Sequence, residues 1–281
     1  MKTFWIRTAS AAVYVLLFLG TLYSGRLTGN ALLGQMIFGA FLLFVTVGCT
    51  YEFFRMVRQQ GAAPCRPLGY LYAVATLLLF VAVPLMGLKG FGLMLMGYSA
   101  FPACFALSAI TQLWYRSEQP FREAAYTLVP MLYAALPLAL MSTLVSDLGE
   151  HALLMVIAMV WVNDSGAYIG GSLFGRHKMW PRHSPGKTWE GTAFGVLVTL
   201  LLALFVGPLL VPAIAWPHWL ALGLLCSVVD TLGDLVESML KRSVGVKDSG
   251  RVMPGHGGFL DRFDSLLIIM PFVYLYIHLV L

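Results

Sequence analysis

The chain has 281 residues, 59% hydrophobic and 11% charged, with a formal net charge of +5 and a mean hydropathy of +0.81. Soluble domains carry roughly 25% charged residues, so the composition excludes an ordinary soluble protein and describes an all-α, polytopic integral membrane protein. Cys49, Cys65, Cys104 and Cys226 stand apart in apolar runs without C-x-x-C spacing, which reads as buried small hydrophobes rather than disulfides or a metal cluster.

Apolar windows of about 20 residues suffice for a hydrocarbon core near 30 Å thick. They run over roughly 8–24, 31–50, 68–86, 90–112, 125–145, 151–174, 191–213, 216–237 and 263–281, predicting about nine transmembrane helices. The first begins MKTFWIRT in the manner of a signal peptide, but no small-residue cleavage site follows, so it is expected to be retained. With a cytoplasmic N-terminus, sixteen of the eighteen Lys and Arg fall on the cytoplasmic side, leaving only Arg26 and Lys89 outside. That asymmetry follows the positive-inside rule and supports both the orientation and the count. It also accounts for the pI near 9.1 without nucleic acid.

Up to residue 150 the acids are Glu52, Glu118, Glu123, Asp147 and Glu150, in or beside loops. From 151 onward come Asp164, Glu190, Asp230, Asp234, Glu237, Asp248, Asp261 and Asp264, several of them in or at the ends of spans. Ionisable groups at membrane depth are costly and mark function. Residues 1–150 are therefore expected to be N-terminal transmembrane scaffold helices, and 151–281 a C-terminal catalytic region with cytoplasmic loops.

The sixth span must run through NDSGAYIGGSLFG, carrying Asn163 and Asp164 at depth, with Gly166, Gly170, Gly171 and Gly175 spaced for close helix packing. Between spans six and seven stands HSPGKTWEG (183–191), whose Gly186-Lys187-Thr188 imitates a Walker loop. The residue five places before Gly186 is Pro181, not glycine, and GRHKMWPR (175–182) is no buried strand, so the segment reads as a turn bearing a lysine. Thr188 is expected to cap the next helix, with Glu190 beside it, and Arg176, Lys178 and Arg182 to face anionic lipid.

Span eight places Asp230, Asp234, Glu237 and Lys241 at i, i+4, i+7 and i+11, one helical face. Three packed carboxylates repel unless a cation joins them, and Mg²⁺ commonly bridges one or two carboxylates to substrate phosphates. The loop 238–264, SMLKRSVGVKDSGRVMPGHGGFLDRFD, mixes Lys241, Arg242, Lys247 and Arg251 with Asp248, Asp261, Asp264 and glycines. Such a loop suits a polyphosphate with its metal; His256 is read as neither base nor ligand.

From Ser238 to Asp264 the chain resembles the signature of the phosphatidate cytidylyltransferases (CDP-diacylglycerol synthases). Ser238, Lys241, Arg242, Lys247, Asp248, Gly250, Pro254, His256, Gly257, Gly258, Asp261, Arg262 and Asp264 stand at its required spacing. NDSGAYIGGSLFGRHK and SPGKTWEG resemble two further blocks of that family, although many members carry lysine where Gly186 stands.

The resemblance implies transfer of cytidylate from CTP to phosphatidic acid, giving CDP-diacylglycerol and pyrophosphate for phospholipid synthesis. It implies Asp234 and Asp261 as metal ligands, with Asp230, Glu237 and Asp264 as further acids around two Mg²⁺ sites and a possible monovalent cation. Lys187, Lys241, Arg242, Lys247, Asp248 and Arg262 would serve the transfer or hold phosphates, with Ser184, Asp164, Gly257 and Gly258 lining the substrates. It further implies a homodimer in a bacterial inner membrane with its site facing the cytoplasm. Two alternatives remain: CTP-dependent transfer to another lipid phosphate or lipid alcohol, and an ion-coupled transporter with a path through Asp164, Asp230 and Asp234.

Overall fold

A backbone crossing hydrocarbon must satisfy its own N–H and C=O groups, and the apolar runs of this chain do so as helices. The computed structural model describes residues 2–85, 91–114, 117–180, 184–246, 248–250 and 257–281. Lys89, Arg116, Arg182, Lys247, Arg251, Pro254 and His256 lie outside the described residues.

The chain folds as two compact units, Met1–Ser146 with Asp248–Phe263, and Asp147–Lys247 with Asp264–Leu281. The Gly-rich segment Asp248–Phe263 folds with the N-terminal helices.

The first unit contains α1 (Lys2–Leu22), α2 (Ser24–Thr28), α3 (Ala31–Gln59), α4 (Arg66–Leu85), α5 (Phe91–Thr111), α6 (Pro120–Pro130) and α7 (Leu136–Leu148). A π-helical turn, Met131–Ala135, joins α6 to α7 directly after Pro130, which brings no N–H to the helical ladder. Asn30 caps α3 by accepting from the Leu33 N–H at 3.1 Å. The turn after α3 passes through Gly61, at φ +76°, and is tied to α6. There the Ala63 N–H donates to Glu123 Oε2 at 2.7 Å and the Cys65 N–H to Thr127 Oγ1 at 3.0 Å. Phe18 anchors an aromatic core, edge-on to Phe38 and Phe41 and beside Phe263.

The second unit holds α8 (Glu150–Phe174), β1 (Lys178–Trp180), β2 (Ser184–Thr188), α9 (Trp189–Leu210), α10 (Trp216–Ser243) and, from Asp264 on, α11 (Leu260–Val280). The glycines of α8 act in packing, as their spacing predicts. A Cβ on Gly170 would strike the Phe194 ring, and one on Gly166 would press on Gly195 of α9. Thr199 of α9 donates to the Met159 carbonyl of α8 at 3.4 Å. Further along α9, Gly207 receives the indole of Trp219 from α10.

One expectation is corrected here. Ser184–Thr188 is not a turn but a strand, paired antiparallel with β1 through Lys178↔Thr188 and Trp180↔Ser184. A three-residue strand is too short to show alternation in sequence, and its partner lies across the 181–183 connection. Thr188 does cap α9, accepting from the Gly191 N–H at 3.2 Å. Glu190 instead braces the entry to the ribbon, accepting from the Arg176 and His177 N–H groups and pairing with His177 Nδ1 at 2.5 Å.

Apart from this ribbon the described chain is helical. Among the described residues, six helices are long and apolar enough to cross a membrane: Ala31–Gln59, Pro120–Leu148, Glu150–Phe174, Trp189–Leu210, Trp216–Ser243 and Leu260–Val280. In the other three predicted windows the described apolar stretches are shorter, Ala12–Leu22, Arg66–Ala82 and Ala100–Thr111. The protein is an all-α integral membrane protein.

Candidate active site

The acidic stripe of α10 does not act as one group. Asp230 turns toward α8, where Asn163 Nδ2 donates to Asp230 Oδ2 at 2.7 Å. One carboxylate oxygen from each of Asp164, Asp230 and Asp234 lies within 4.8 Å of the others. Asp230 is fully buried, and its Oδ1 receives no hydrogen bond among the described residues. A buried carboxylate oxygen without a donor, facing two more carboxylates, is costly unless a cation joins them. An all-oxygen donor set of this kind suits a hard divalent ion.

Lys187 reaches the same place from β2. Its Nζ pairs with Asp234 Oδ2 at 2.8 Å and donates to the Thr231 carbonyl at 3.1 Å. The carbonyl comes from α10 itself, so the ammonium is held between a main-chain oxygen and a side chain one turn on. Around it opens a cavity of about 340 Å³, lined by Asp164, Tyr168, Ser172, Ser184, Lys187, Thr192 and Asp234 among others. Ser184 and Asp164, both predicted to bind substrate, thus share a wall with Lys187.

The remainder of the stripe is engaged elsewhere. Glu237 pairs with Lys241 at 2.5 Å, one turn along α10, both side chains mostly buried. Asp264 accepts from the Ser265 N–H at 2.7 Å and lies within electrostatic reach of Asp234, Glu237 and Lys241. Ser265 Oγ in turn donates to Asp234 Oδ1 at 3.0 Å. Arg242 is exposed and donates to the Val246 carbonyl at 3.4 Å.

In the first unit, the Gly-rich segment is organised by two carboxylates. Asp261 Oδ2 accepts from the Ser249 N–H at 2.9 Å and from the Gly258 N–H at 2.8 Å. Ser249 Oγ lies 2.9 Å from both Asp261 Oδ2 and Glu52 Oε2, which share its proton. Glu52, 1% exposed on α3, also accepts from the Phe259 and Leu260 N–H groups at 3.0 Å each. It therefore caps the start of α11, where main-chain donors lack helical partners. A Cβ on Gly250 or Gly258 would collide with the Glu52 carboxylate, which explains why both positions are glycine. Gly257, at φ +80°, needs the left-handed conformation open to glycine. Asp248 is exposed, while Arg262 is half-buried with its Nε unpartnered among the described residues. Lys247 is predicted at the site but lies outside the described residues.

Sequence reading missed Glu52, whose sole signal is one acid near the end of an apolar helix. The resemblance assigns Asp164 to the substrate rather than to the metal, and only the transporter alternative groups it with Asp230 and Asp234, because α8 and α10 meet only in three dimensions.

Comparison with known proteins adds a lineage to this geometry. A protein of Staphylococcus saprophyticus named phosphatidate cytidylyltransferase is 42% identical over 151 residues, covering 54% of this chain and 58% of the relative. One from Staphylococcus aureus (strain COL) with the same name is 42% identical over 153 residues, again covering 54% and 58%. One from Bacillus subtilis (strain 168), also so named, is 50% identical over 116 residues, covering 41% of this chain and 43% of the relative. The matched stretch thus spans less than two thirds of each of these relatives. A family model described as the cytidylyltransferase family matches residues 5–280, nearly the whole chain, and the protein belongs to that family.

Proposed function

We propose that this protein transfers cytidylate from CTP to phosphatidic acid, yielding CDP-diacylglycerol and pyrophosphate. The observation that carries the reading is Lys187, held by Asp234 and the Thr231 carbonyl at the wall of a cavity that also presents Asp164. Family membership and the relatives' name supply the substrates; the cavity supplies groups of the right charge.

In this reading a phosphate oxygen of the lipid attacks the α-phosphorus of CTP. A new O–P bond forms as the bond to the β-phosphate oxygen breaks, and pyrophosphate leaves with that electron pair. The nucleophile is already anionic, so positioning and charge neutralisation replace a strong general base. Lys187 donates to a substrate phosphate oxygen, and its pairing with Asp234 keeps the ammonium extended until then. Ser184 and the Gly171-to-Ser172 wall orient the nucleotide. By the family resemblance Lys241, Arg242, Lys247 and Arg262 hold further phosphates, and Asp248, Gly257 and Gly258 serve the substrates from the Gly-rich loop.

Mg²⁺ fits the residues present: Asp164, Asp230 and Asp234 would hold it, the buried Asp230 Oδ1 being the oxygen in want of a partner. The family resemblance offers Asp261, Glu237 and Asp264 as further acidic ligands, for a second divalent ion and a monovalent cation. When bound, such ions offset the charge on the α-phosphate and on the leaving pyrophosphate. Nine spans, a cytoplasmic N-terminus and site, a bacterial inner membrane and a homodimer complete the reading, supported by the distribution of Lys and Arg and by the bacterial relatives.

The test is direct. Purified protein in detergent is mixed with phosphatidic acid, labelled CTP and Mg²⁺, and the lipid phase and released pyrophosphate are measured. Label in the lipid with stoichiometric pyrophosphate, abolished by EDTA and restored by Mg²⁺, is expected. Folded protein that yields neither product overturns the reading.

A further inference from the structure

At the α3–α4 turn the first unit carries a second cavity of about 340 Å³, lined by Arg55, Arg58, Arg66, Tyr51, Phe54 and Tyr70 among others. No residue of the transfer chemistry contributes to it. A helix needs about 20 residues to cross a ~30 Å hydrocarbon core. Counted from Ala31, that length leaves positions 51–59 of α3 at the level of the lipid headgroups. Arg55 and Arg58 stand at i and i+3, one face of that projecting end, and Arg66 opens α4 across the turn.

The arrangement is preorganised. Ala63 and Cys65 donate their N–H groups to Glu123 and Thr127 of α6, fixing the turn between Arg58 and Arg66. Phe54 and Tyr70 meet edge-on with centroids 5.7 Å apart, and the absence of a side chain on Gly69 admits the Phe54 ring. Glu123, the acid that secures the turn, is itself engaged by Arg122 at 2.8 Å. Among the described residues no carboxylate pairs with Arg55, Arg58 or Arg66.

Three unpaired guanidiniums converging on one cavity at headgroup depth match a phosphate carrying about two negative charges, as a monoester does near pH 7. Guanidinium binds such oxygens bidentately, with a geometry that a lysine cannot supply. We propose that this cavity is a binding site for the phosphate of a phosphomonoester lipid. The identification of that lipid with the acceptor rests on the proposed function; the phosphate chemistry does not. A general attraction of basic residues for anionic membrane follows total charge and needs no particular arginine, whereas this cavity discriminates through the three guanidiniums that line it.

The experiment measures lipid retained by the full chain in neutral phosphatidylcholine nanodiscs, by native mass spectrometry, with phosphatidic acid or phosphatidylglycerol titrated in. Wild-type protein should retain phosphatidic acid preferentially. Arg55→Gln/Arg58→Gln/Arg66→Gln should lower that retention at least tenfold, and the three lysine replacements should restore it only in part. Single glutamine variants, expected to fall a few-fold each, keep the test usable if the triple variant fails to fold. Unchanged retention in the variants, parallel loss for phosphatidylglycerol, or competition by inorganic phosphate or CTP equal to that by the lipid would each overturn the site. Cytidylyl transfer is assayed on the same wild-type preparation. Transfer with retention indifferent to the arginines sinks the cavity alone, and absence of transfer sinks the proposed function alone.

Discussion

Lys187 Nζ stands 2.8 Å from Asp234 Oδ2, joining a β-ribbon to the middle of α10 across 47 positions of sequence. Both side chains are roughly a quarter exposed, so the pair is wet enough to part when a phosphate arrives. An exposed ion pair contributes little to stability, which makes this contact a matter of position. Lys187→Ala should leave the melting temperature within a few degrees of wild type. It should lower kcat/KM for CTP by about 10- to 100-fold, as loss of a charge-assisted hydrogen bond of about 1.5–3 kcal/mol implies. An unchanged kcat/KM would return the ribbon to a structural role.

Asp230 is the buried member of the carboxylate trio, and Asp234 the one shared with Lys187. Asp230→Asn and Asp234→Asn preserve shape while removing a charge. Each should lower turnover by about 100-fold or more, the scale expected when electrostatic stabilisation of a transition state is lost. Each should also raise the Mg²⁺ concentration giving half-maximal rate. A wild-type Mg²⁺ dependence in either variant would remove that residue from the metal set.

Glu52, buried on α3, accepts from three donors of the Gly-rich segment. Glu52→Ala would orphan the Phe259 and Leu260 N–H groups, each unsatisfied buried group costing about 1–3 kcal/mol, while Ser249 Oγ would keep Asp261 Oδ2. Unfolding monitored in detergent should therefore shift strongly for Ala and less for Gln, which keeps one acceptor oxygen. Equal stability of Glu52→Ala and wild type would show that the loop does not depend on this cap.

Gly258 lies against the same carboxylate. Gly258→Ala should displace Glu52 or the loop, and transfer activity should fall with it. Combining it with Glu52→Ala, which vacates the space, should give a smaller loss than the two separate effects added together, because neighbouring residues couple. Strict additivity would argue against the contact.

How much of this was legible without a structure differs by element. The helices followed from hydropathy alone, since a long apolar run in hydrocarbon has few other ways to satisfy its backbone. Asp230, Asp234, Glu237 and Lys241 were visible as one face of α10, because helical periodicity is local. The division of that face was not visible: Asp230 and Asp234 turn to Asp164, while Glu237 takes Lys241. The β-ribbon was read as a turn, as strands of three and five residues carry too little alternation to register.

What the sequence by itself determined is the membrane class and the helical architecture, and it proposed chemistry for the segments around Asp164, Lys187 and 238–264. Those rest on composition, period and fixed spacing, all properties of neighbours along the chain. Only the tertiary structure decided that Asp164 joins Asp230 and Asp234, that Lys187 meets Asp234, and that Glu52 holds Ser249, Phe259 and Leu260. Each of those contacts closes a separation of 47 residues or more, set by helix packing and buried hydrogen bonds, and no local pattern records which distant partner a buried charge will find.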